Sequence, residues 1–580
     1  MNPQIFHPFV LPFVLGMAFV LTYCVVGLLR VIGQLPKDDR KKFWRSLVTP
    51  KTAWANVRDL FGDCLFHVKI WKRNPVLGYM HTAIAFGWFM IIVIGHVMLF
   101  ALKPLEGVEV QGVERMFPNF YYPIFFKYFA EETPVFAFLM DFFLLMIISG
   151  ILIAVVKKIH SKIVGVKRIM HFGFVDNMIR FALWTIFPFR LIAEKSNIMA
   201  FWWFYSIDLM VFMFMLPFTR YMHIPTEALF ILLRHAGLKP REPRKGYALA
   251  QIYSCPSCGL CIDACPMSVN DKNSGNTSAY FMKRLRNGDR EEAQRIAETC
   301  MQCGKCVAVC PVSIESCDIK MSQREAVPYQ IHSDHSYLDG YTCKDTSNVS
   351  AKNASVLYFA GCMTQLTPKI MRAMKQIMEA AGEKYEFLDK DSGVCCGRPM
   401  LLSGKTAEAQ AMMTKNTELI KQSGAKRLVL SCPICYKVFK EEYHLEGVEI
   451  LHHTQYIDAL LKQGKLKVGK NDVKYVYHDP CELGRTFDVY DEPREVLESV
   501  GHLRKAKSEK ELSICCGGSL GSFNLTQKER DEITENSVAD LMFNQPEEIV
   551  TACPLCLKTF ARKAPVAVKD IAEVVASQLR

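Results

Sequence analysis

Eighteen of the 22 cysteines in this 580-residue chain fall into four spaced sets, and nothing else limits its fold as strongly. Two sets are short runs of the form C-x2-C-x2-C-x3-C-P. They are Cys255, Cys258, Cys261 and Cys265 before Pro266, and Cys300, Cys303, Cys306 and Cys310 before Pro311. The other two are long ladders. Cys362, Cys395, Cys396, Cys432 and Cys435 form one; Cys481, Cys515, Cys516, Cys553 and Cys556 form the other. The gaps are 32 and 35 residues in the first and 33 and 36 in the second. A ladder that repeats within one residue per gap marks a duplicated unit with a period near 120 residues.

The short runs have the spacing that ligates [4Fe–4S] clusters, and they resemble those of bacterial two-cluster ferredoxins. The resemblance implies two cubane clusters, with the fourth cysteine of each run crossing to the other cluster. Disulfides are the first alternative, but they belong to small secreted domains in oxidising compartments. Structural zinc is the second, because CPxC pairs can hold it. Five thiols per ladder exceed zinc's usual four ligands. Cys24, Cys64, Cys317 and Cys343 stand outside the sets, and Cys317 follows Cys310 by seven residues.

Hydrophobicity is uneven along the chain. Residues 1–235 are rich in Phe, Met, Ile, Leu and Trp, and the remainder has soluble composition. Five stretches, 8–31, 77–101, 134–156, 174–193 and 199–222, are apolar over the ~20 residues that a spanning helix needs. Asp176 and Arg180 interrupt the fourth, four apart on one helical face, where they can pair. The first is too long for a removed signal peptide and lacks the small-residue cleavage site. Residues 34–74 carry ten Lys/Arg, 157–170 carry five with no acid, and 102–133 carry three against five acids. The positive-inside rule then sets the N-terminus outside and everything past residue 222 in the cytoplasm. Much of the +12 net charge is membrane-sorting charge. No basic stripe interleaves with aromatic residues, so no nucleic-acid partner is expected.

The expected architecture is multidomain. A five-helix, all-α membrane bundle occupies 1–235 and an α-helical two-cluster ferredoxin-like domain 236–330. Tandem α/β domains follow at 350–465 and 470–580. Residues 236–252 and 331–352 have linker composition, and 281–299 is helical in pattern. Each ladder copy starts with an apolar run, Val356–Phe359 or Val473–Tyr477. A second run, Leu428–Leu430 or Ile549–Val550, enters the CPxC pair. Strands alternating with helices imply a small parallel sheet whose ligands gather at the strand C-terminal ends.

The ladders resemble the cysteine-rich CCG domain of heterodisulfide reductases. That family's relatives include iron–sulfur subunits of glycolate, lactate and glycerol-3-phosphate dehydrogenases and membrane complexes of sulfate reducers. The resemblance implies that each complete five-cysteine set holds a non-cubane [4Fe–4S] cluster. His478 to Arg485 looks like the HDPC-x-LGR stretch of these domains, which makes His478 a candidate catalytic residue; the alternative is a histidine that caps the sheet edge. The first copy has Phe359-Ala-Gly there instead.

The membrane half resembles the haem-b gamma subunit of respiratory nitrate reductase. That resemblance implies one haem b between His81 on the second span and His223 at the end of the fifth, with Arg220 near a propionate. The two histidines as interfacial polar residues are the alternative, and His67 and His171 are alternative ligands. On the outer side, His96, Asp141 and Asp208 are ionisable groups at membrane depth, which usually mark a pathway or site. They suggest proton handling for quinone chemistry, or else a satisfied polar cluster.

No G-x-G-x-x-G motif follows a strand, and no Walker motif occurs. Flavin or nicotinamide chemistry must therefore sit on a partner. The expected function is electron transfer between the (mena)quinone pool and a cytoplasmic redox partner. That partner would be an electron-transfer flavoprotein or a dehydrogenase, reached through haem b and four clusters. A quinone-linked disulfide reductase with a thiol/disulfide partner, and a zinc-stabilised membrane scaffold, are the alternatives.

Overall fold

A computed structural model of the chain describes residues 7–102, 124–125, 134–160, 173–196, 198–269, 271–328, 354–390 and 394–580. It divides into two units, Met1–Asp263 with Pro311–Ile314, and Ala264–Cys310 with Glu315–Arg580.

The first unit is built on long helices: α1 (Val10–Gly33), α2 (Pro75–Leu102), α3 (Pro134–Ile159), α4 (Phe174–Ser196) and α5 (Met199–Met215). Among the described residues, four stretches are long and apolar enough to cross a membrane: Val10–Gly33, Pro75–Val97, Pro134–Ile159 and Met199–Phe218. α4 forms, but the fourth expected span, 174–193, is not among these four, because α4 carries Asp176, Arg180, Arg190, Glu194 and Lys195. Its buried charges are satisfied inside the bundle. Arg190 Nε donates to Glu194 at 2.8 Å, and its Nη1 donates to the Tyr205 hydroxyl on α5 at 3.3 Å.

Helix α2 packs along α3, and α5 packs against α1 and α4. Small residues allow the closest approach. A Cβ at Gly87 would stand 2.6 Å from Ile147, and one at Gly150 would stand 3.0 Å from the Met80 carbonyl. Val25, Val26 and Leu29 on α1, and Val135, Phe138 and Leu152 on α3, are exposed. Apolar surface of that extent is unfavourable in water and suits lipid. Beyond α5 come α6 (His223–Arg234) and α7 (Gly246–Ser254). α7 stands where the sequence suggests a linker. Its Tyr247, Ala248, Ala250 and Ile252 are buried, and this burial fixes a helix in a prolyl, basic context.

The second unit opens with α8 (Ser278–Asn287), α9 (Arg290–Thr299) and α10 (Ser316–Ala326). The helical pattern expected across 281–299 divides at Gly288, whose φ of 83° ends α8. Asp289 then caps α9 by accepting from the Glu292 N–H. The expected linker at 331–352 lies outside the described residues.

Two four-stranded parallel sheets follow. β1 (Val356–Phe359), β2 (Tyr385–Phe387), β3 (Arg427–Leu430) and β4 (Glu449–His452) stand in the order β2-β1-β3-β4. β5 (Lys474–His478), β6 (His502–Arg504), β7 (Glu548–Thr551) and β8 (Ala567–Asp570) repeat that order as β6-β5-β7-β8. The register matches as well: Phe359 pairs with Leu430, and His478 pairs with Thr551. In each sheet the chain leaves the first strand to one side and returns on the other. The C-terminal ends of β1 and β3, and of β5 and β7, are therefore switch points, where open α/β sheets bind ligands. Cys362 and Cys432 follow β1 and β3, and Cys481 and Cys553 follow β5 and β7. One apolar core runs through both copies, from Val356 and Leu428 to Val550 and Ile571.

Candidate metal centres

Every described cysteine is free of disulfide. In the second unit Cys265, the last cysteine of the first run, lies against Cys303 and Cys306 of the second run. A fourth cysteine that crosses to the other run's cluster would need this neighbourhood. Cys255, Cys258 and Cys261 belong to the first unit, and Cys310 belongs to the second.

Each ladder comes together at its switch point. In the first copy the Cys395 thiol has hydrogen-bond interactions with those of Cys362 and Cys396, and the Cys435 thiol with those of Cys396 and Cys432. In the second, Cys515 bonds to Cys481 and Cys516, and Cys556 bonds to Cys516 and Cys553. Cys556 and Cys516 sulfurs are 3.3 Å apart. All five thiols of each ladder are thus linked, and four of each five are buried. Gly361, at φ 82°, passes so close that a Cβ would stand 2.9 Å from Cys435 Sγ. Metal ligation needs thiolate. Hydrogen bonds from Cys395 and Cys435 pull the Cys396 thiol down to about 6 against its burial. Among the described residues, no three His, Cys, Asp or Glu side chains group as ligands of a single ion. The thiols are spread as linked sets, which fits a multi-iron cluster with several separate ligand positions.

The sets also connect to each other. Cys303 bonds to Cys515, joining the ferredoxin-like run to the second ladder. Arg485 spans the same junction: its Nε donates to the Cys303 carbonyl at 2.7 Å and its Nη1 to the Ser513 carbonyl at 2.9 Å. Cys553 in turn feels the charge of Cys432 in the first ladder. The spatial order is therefore ferredoxin run, second ladder, first ladder, which differs from the order in sequence. A cavity between the copies is lined by Pro433 and Ile434 of the first CPxC turn and by Cys481, Cys515 and Cys553 of the second ladder.

His478 ends β5 and is buried beside Cys516. Its ring packs edge-on against Phe560 at 4.7 Å, as Phe359 packs against Phe439 at 5.1 Å in the first copy. The imidazole thus occupies a phenylalanine slot, and burial lowers its pKa. Its Nε2 has no hydrogen-bond partner among the described residues.

In the first unit, one cavity is lined by His81, His223, His67, Lys157, Glu227 and Cys258 among others. The His67 and His81 rings lie 5.2 Å apart. Arg220 extends over the Tyr221 ring, 5.2 Å from its centre. His171 lies outside the described residues. The outer groups each have a local partner: His96 Nδ1 bonds to the Ile92 carbonyl, Asp141 accepts from Lys195, and Asp208 accepts from Thr185. These contacts do not join the three into one group. Glu227 carried no signal in the sequence beyond a single acid in a helix. Burial, then Asp63, pushes its carboxyl up to about 8.

Comparison with known proteins matches the cysteine-rich domain CCG at residues 356–440 and 475–561, and a 4Fe-4S dicluster domain at 251–314. The chain is 31% identical over 245 residues to EtfAB:quinone oxidoreductase of Syntrophomonas wolfei, covering 39% of this chain and 34% of that protein. It is 28% identical over 246 residues to one of the subunits of dihydromethanophenazine:CoB–CoM heterodisulfide reductase of Methanosarcina acetivorans, covering 40% and 60%. It is 29% identical over 237 residues to a protein named probable membrane-anchored ferredoxin of Chromohalobacter salexigens, covering 38% and 35%. The matches therefore span between about a third and three fifths of these relatives' own lengths. The chain therefore carries two CCG cysteine-rich domains and a 4Fe-4S dicluster domain, and it is similar to iron–sulfur proteins named as oxidoreductases.

Proposed function

We propose that the chain passes electrons between the quinone pool and a cytoplasmic flavoprotein or dehydrogenase across a multi-span membrane anchor. The observation that carries this is the contact of the Cys303 and Cys515 thiols, together with the charge of Cys432 felt at Cys553, which brings three of the cysteine sets near one another within one unit. The S. wolfei relative is named for both a flavoprotein and quinone, which supports these end points. Haem b fits the membrane cavity: His81 and His223 offer two imidazoles, and Arg220 lies close by. Cys258 lines the same cavity, so a cubane ligand adjoins the haem ligands. Bound in these places, haem and two cubane and two non-cubane clusters supply one-electron carriers. The chain's own residues do the rest. Thiols and imidazoles hold the iron, the apolar cores exclude water, and Arg485 keeps the Cys303 loop against the second ladder. The four apolar helices and the membrane-anchored relative support a membrane anchor; an N-terminus outside with iron–sulfur domains in the cytoplasm rests on the basic loops and requires α4 to cross as a fifth span.

A second reading has its own observation. The cavity between the two complete ladders would admit a disulfide, whose reduction to two thiols takes two electrons and two protons. The buried His478 would then be a proton donor beside Cys516. In this reading the thiol/disulfide pair replaces the flavoprotein as terminal partner.

Anaerobic purification followed by iron and haem analysis tests the shared core. About 16 iron in clusters and one haem per chain are expected from the ligand sets. Stoichiometric zinc with little iron would reject it in favour of a scaffold. Reducing the loaded protein with quinol and then mixing it with either oxidised flavoprotein or a disulfide distinguishes the two readings.

A further inference from the structure

Helix α10 presents a row of donors to one cysteine set. Lys320 is only 2% exposed. Its ammonium donates to Cys300 Sγ at 3.4 Å and to the Ser278 hydroxyl at 3.0 Å, and it lies 5.4 Å from the centre of the Phe281 ring. The sulfurs that face it are those of Cys300, Cys306, Cys317 and Cys265, and of these the Cys300 and Cys306 thiols are held below the ordinary range. One position before the same face, Cys317 bonds to both Cys300 and Cys306. Ser316 stands 3.1 Å from Cys306 Sγ. One turn beyond, Arg324 is fully buried and donates to the carbonyls of Ala297, Cys300, Leu402 and Gly521. Residues 316, 320 and 324 recur at the helical period, so they share a face, and Arg324 anchors it.

A buried ammonium is costly unless an anion compensates it. Here the compensating anion is a set of thiolates. A cluster held by four such thiolates would carry a net negative charge, and one arriving electron would increase it by one unit. Positive charge and hydrogen bonds at cluster sulfurs favour the more negative, reduced state.

We propose that Lys320, with Cys317, sets the reduction potential at the Cys265–Cys300–Cys303–Cys306 site, raising it and making this site the electron sink that feeds Cys515. This rests on the cluster reading above. One electron would reach this site and leave toward Cys515, and the step would transfer no proton. Lys320 acts through the thiolates and is a positioning residue.

The test is EPR-monitored redox titration of the full-length, iron-loaded protein. Lys320→Met should lower the midpoint of one cubane signal while leaving the other signals and the iron content unchanged. The loss of one charged hydrogen bond predicts a roughly tenfold fall in the reduced-to-oxidised ratio at fixed poise, about 59 mV for one electron. Lys320→Arg should restore most of it. Cys317→Ala should shift the same signal in the same direction by less, and it carries the test alone if Lys320→Met fails to load iron. An unchanged midpoint in the loaded variants, or an equal shift of every signal, overturns the proposal. Absence of iron–sulfur signals from the wild-type protein would overturn the cluster reading instead.

Discussion

Arg398 Nη2 donates to Glu482 Oε1 at 2.9 Å, and so ties the residue after Cys395-Cys396-Gly397 in one copy to the residue after Cys481 in the other. Both side chains are nearly buried, at 8% and 12% exposure. Such a pair gains little over apolar neighbours of the same shape, but breaking it strands a charge at about 3–5 kcal/mol. Arg398→Met and Glu482→Gln should each lower the temperature at which the cluster absorbance bleaches. The double variant Arg398→Met/Glu482→Leu should recover most of the loss. Additive losses across this cycle would show that the pair does not couple the two ladders.

Three imidazoles, those of His67, His81 and His223, line the first unit's cavity. His81→Ala or His223→Ala should abolish the reduced-haem absorbance and leave the iron–sulfur signals of the second unit intact. His67 lies 5.2 Å from His81 between ring centres, so His67→Ala is the control and should keep the haem spectrum. A normal spectrum in both of the first two variants, with loss in the third, would move the axial ligand to His67.

Glu227 predicts a pH effect in the same unit. Its carboxyl is raised from 4.5 to about 8 by burial and by Asp63. Between these values the folded chain holds a proton that the unfolded chain has released, so stability falls as pH rises through this window. Glu227→Gln removes the titration and keeps the neutral shape. In detergent, the variant should melt above the wild type at about pH 9 and show no such gain at about pH 4. The same difference at both values would exclude a raised carboxyl as the cause.

The cysteine sets were legible because thiol spacing is itself the chemistry. So were β1, β3, β5 and β7, whose apolar runs are buried on both faces. The edge strands were not. β2 and β6 are three residues each with none buried, so they carry no apolar run to find. α7 was hidden by its basic, prolyl flanks, since a nine-residue helix fixed by tertiary burial has little signal of its own. The order of the ladders was hidden for another reason. Cys303 meets Cys515 across 212 residues of chain, and no local pattern encodes such a contact. Arg485 was visible only as the last residue of a motif. Lys320 and Arg398 looked like ordinary surface cations, and only burial distinguishes them.

Arg485 offers the sharpest test of the route between sites. Its guanidinium donates to the carbonyls of Cys303, Ser513 and Glu511 and to the Ser513 hydroxyl. One fork thus holds the ferredoxin loop against the second ladder. Each hydrogen bond from a charged group contributes about 1.5–3 kcal/mol, and a lysine ammonium cannot reproduce the planar fork. Arg485→Lys should keep the full iron content, because none of these four hydrogen bonds is to a thiol. It should nevertheless loosen the approach of Cys303 to Cys515. Rapid-mixing reduction from the quinol side should then fill the cubane sites at the normal rate and the second ladder about tenfold or more slowly. The first ladder should slow in step, since it lies beyond the second. If the first ladder is reduced normally while the second lags, electrons reach it by another path, and the linear order ferredoxin run, second ladder, first ladder is wrong.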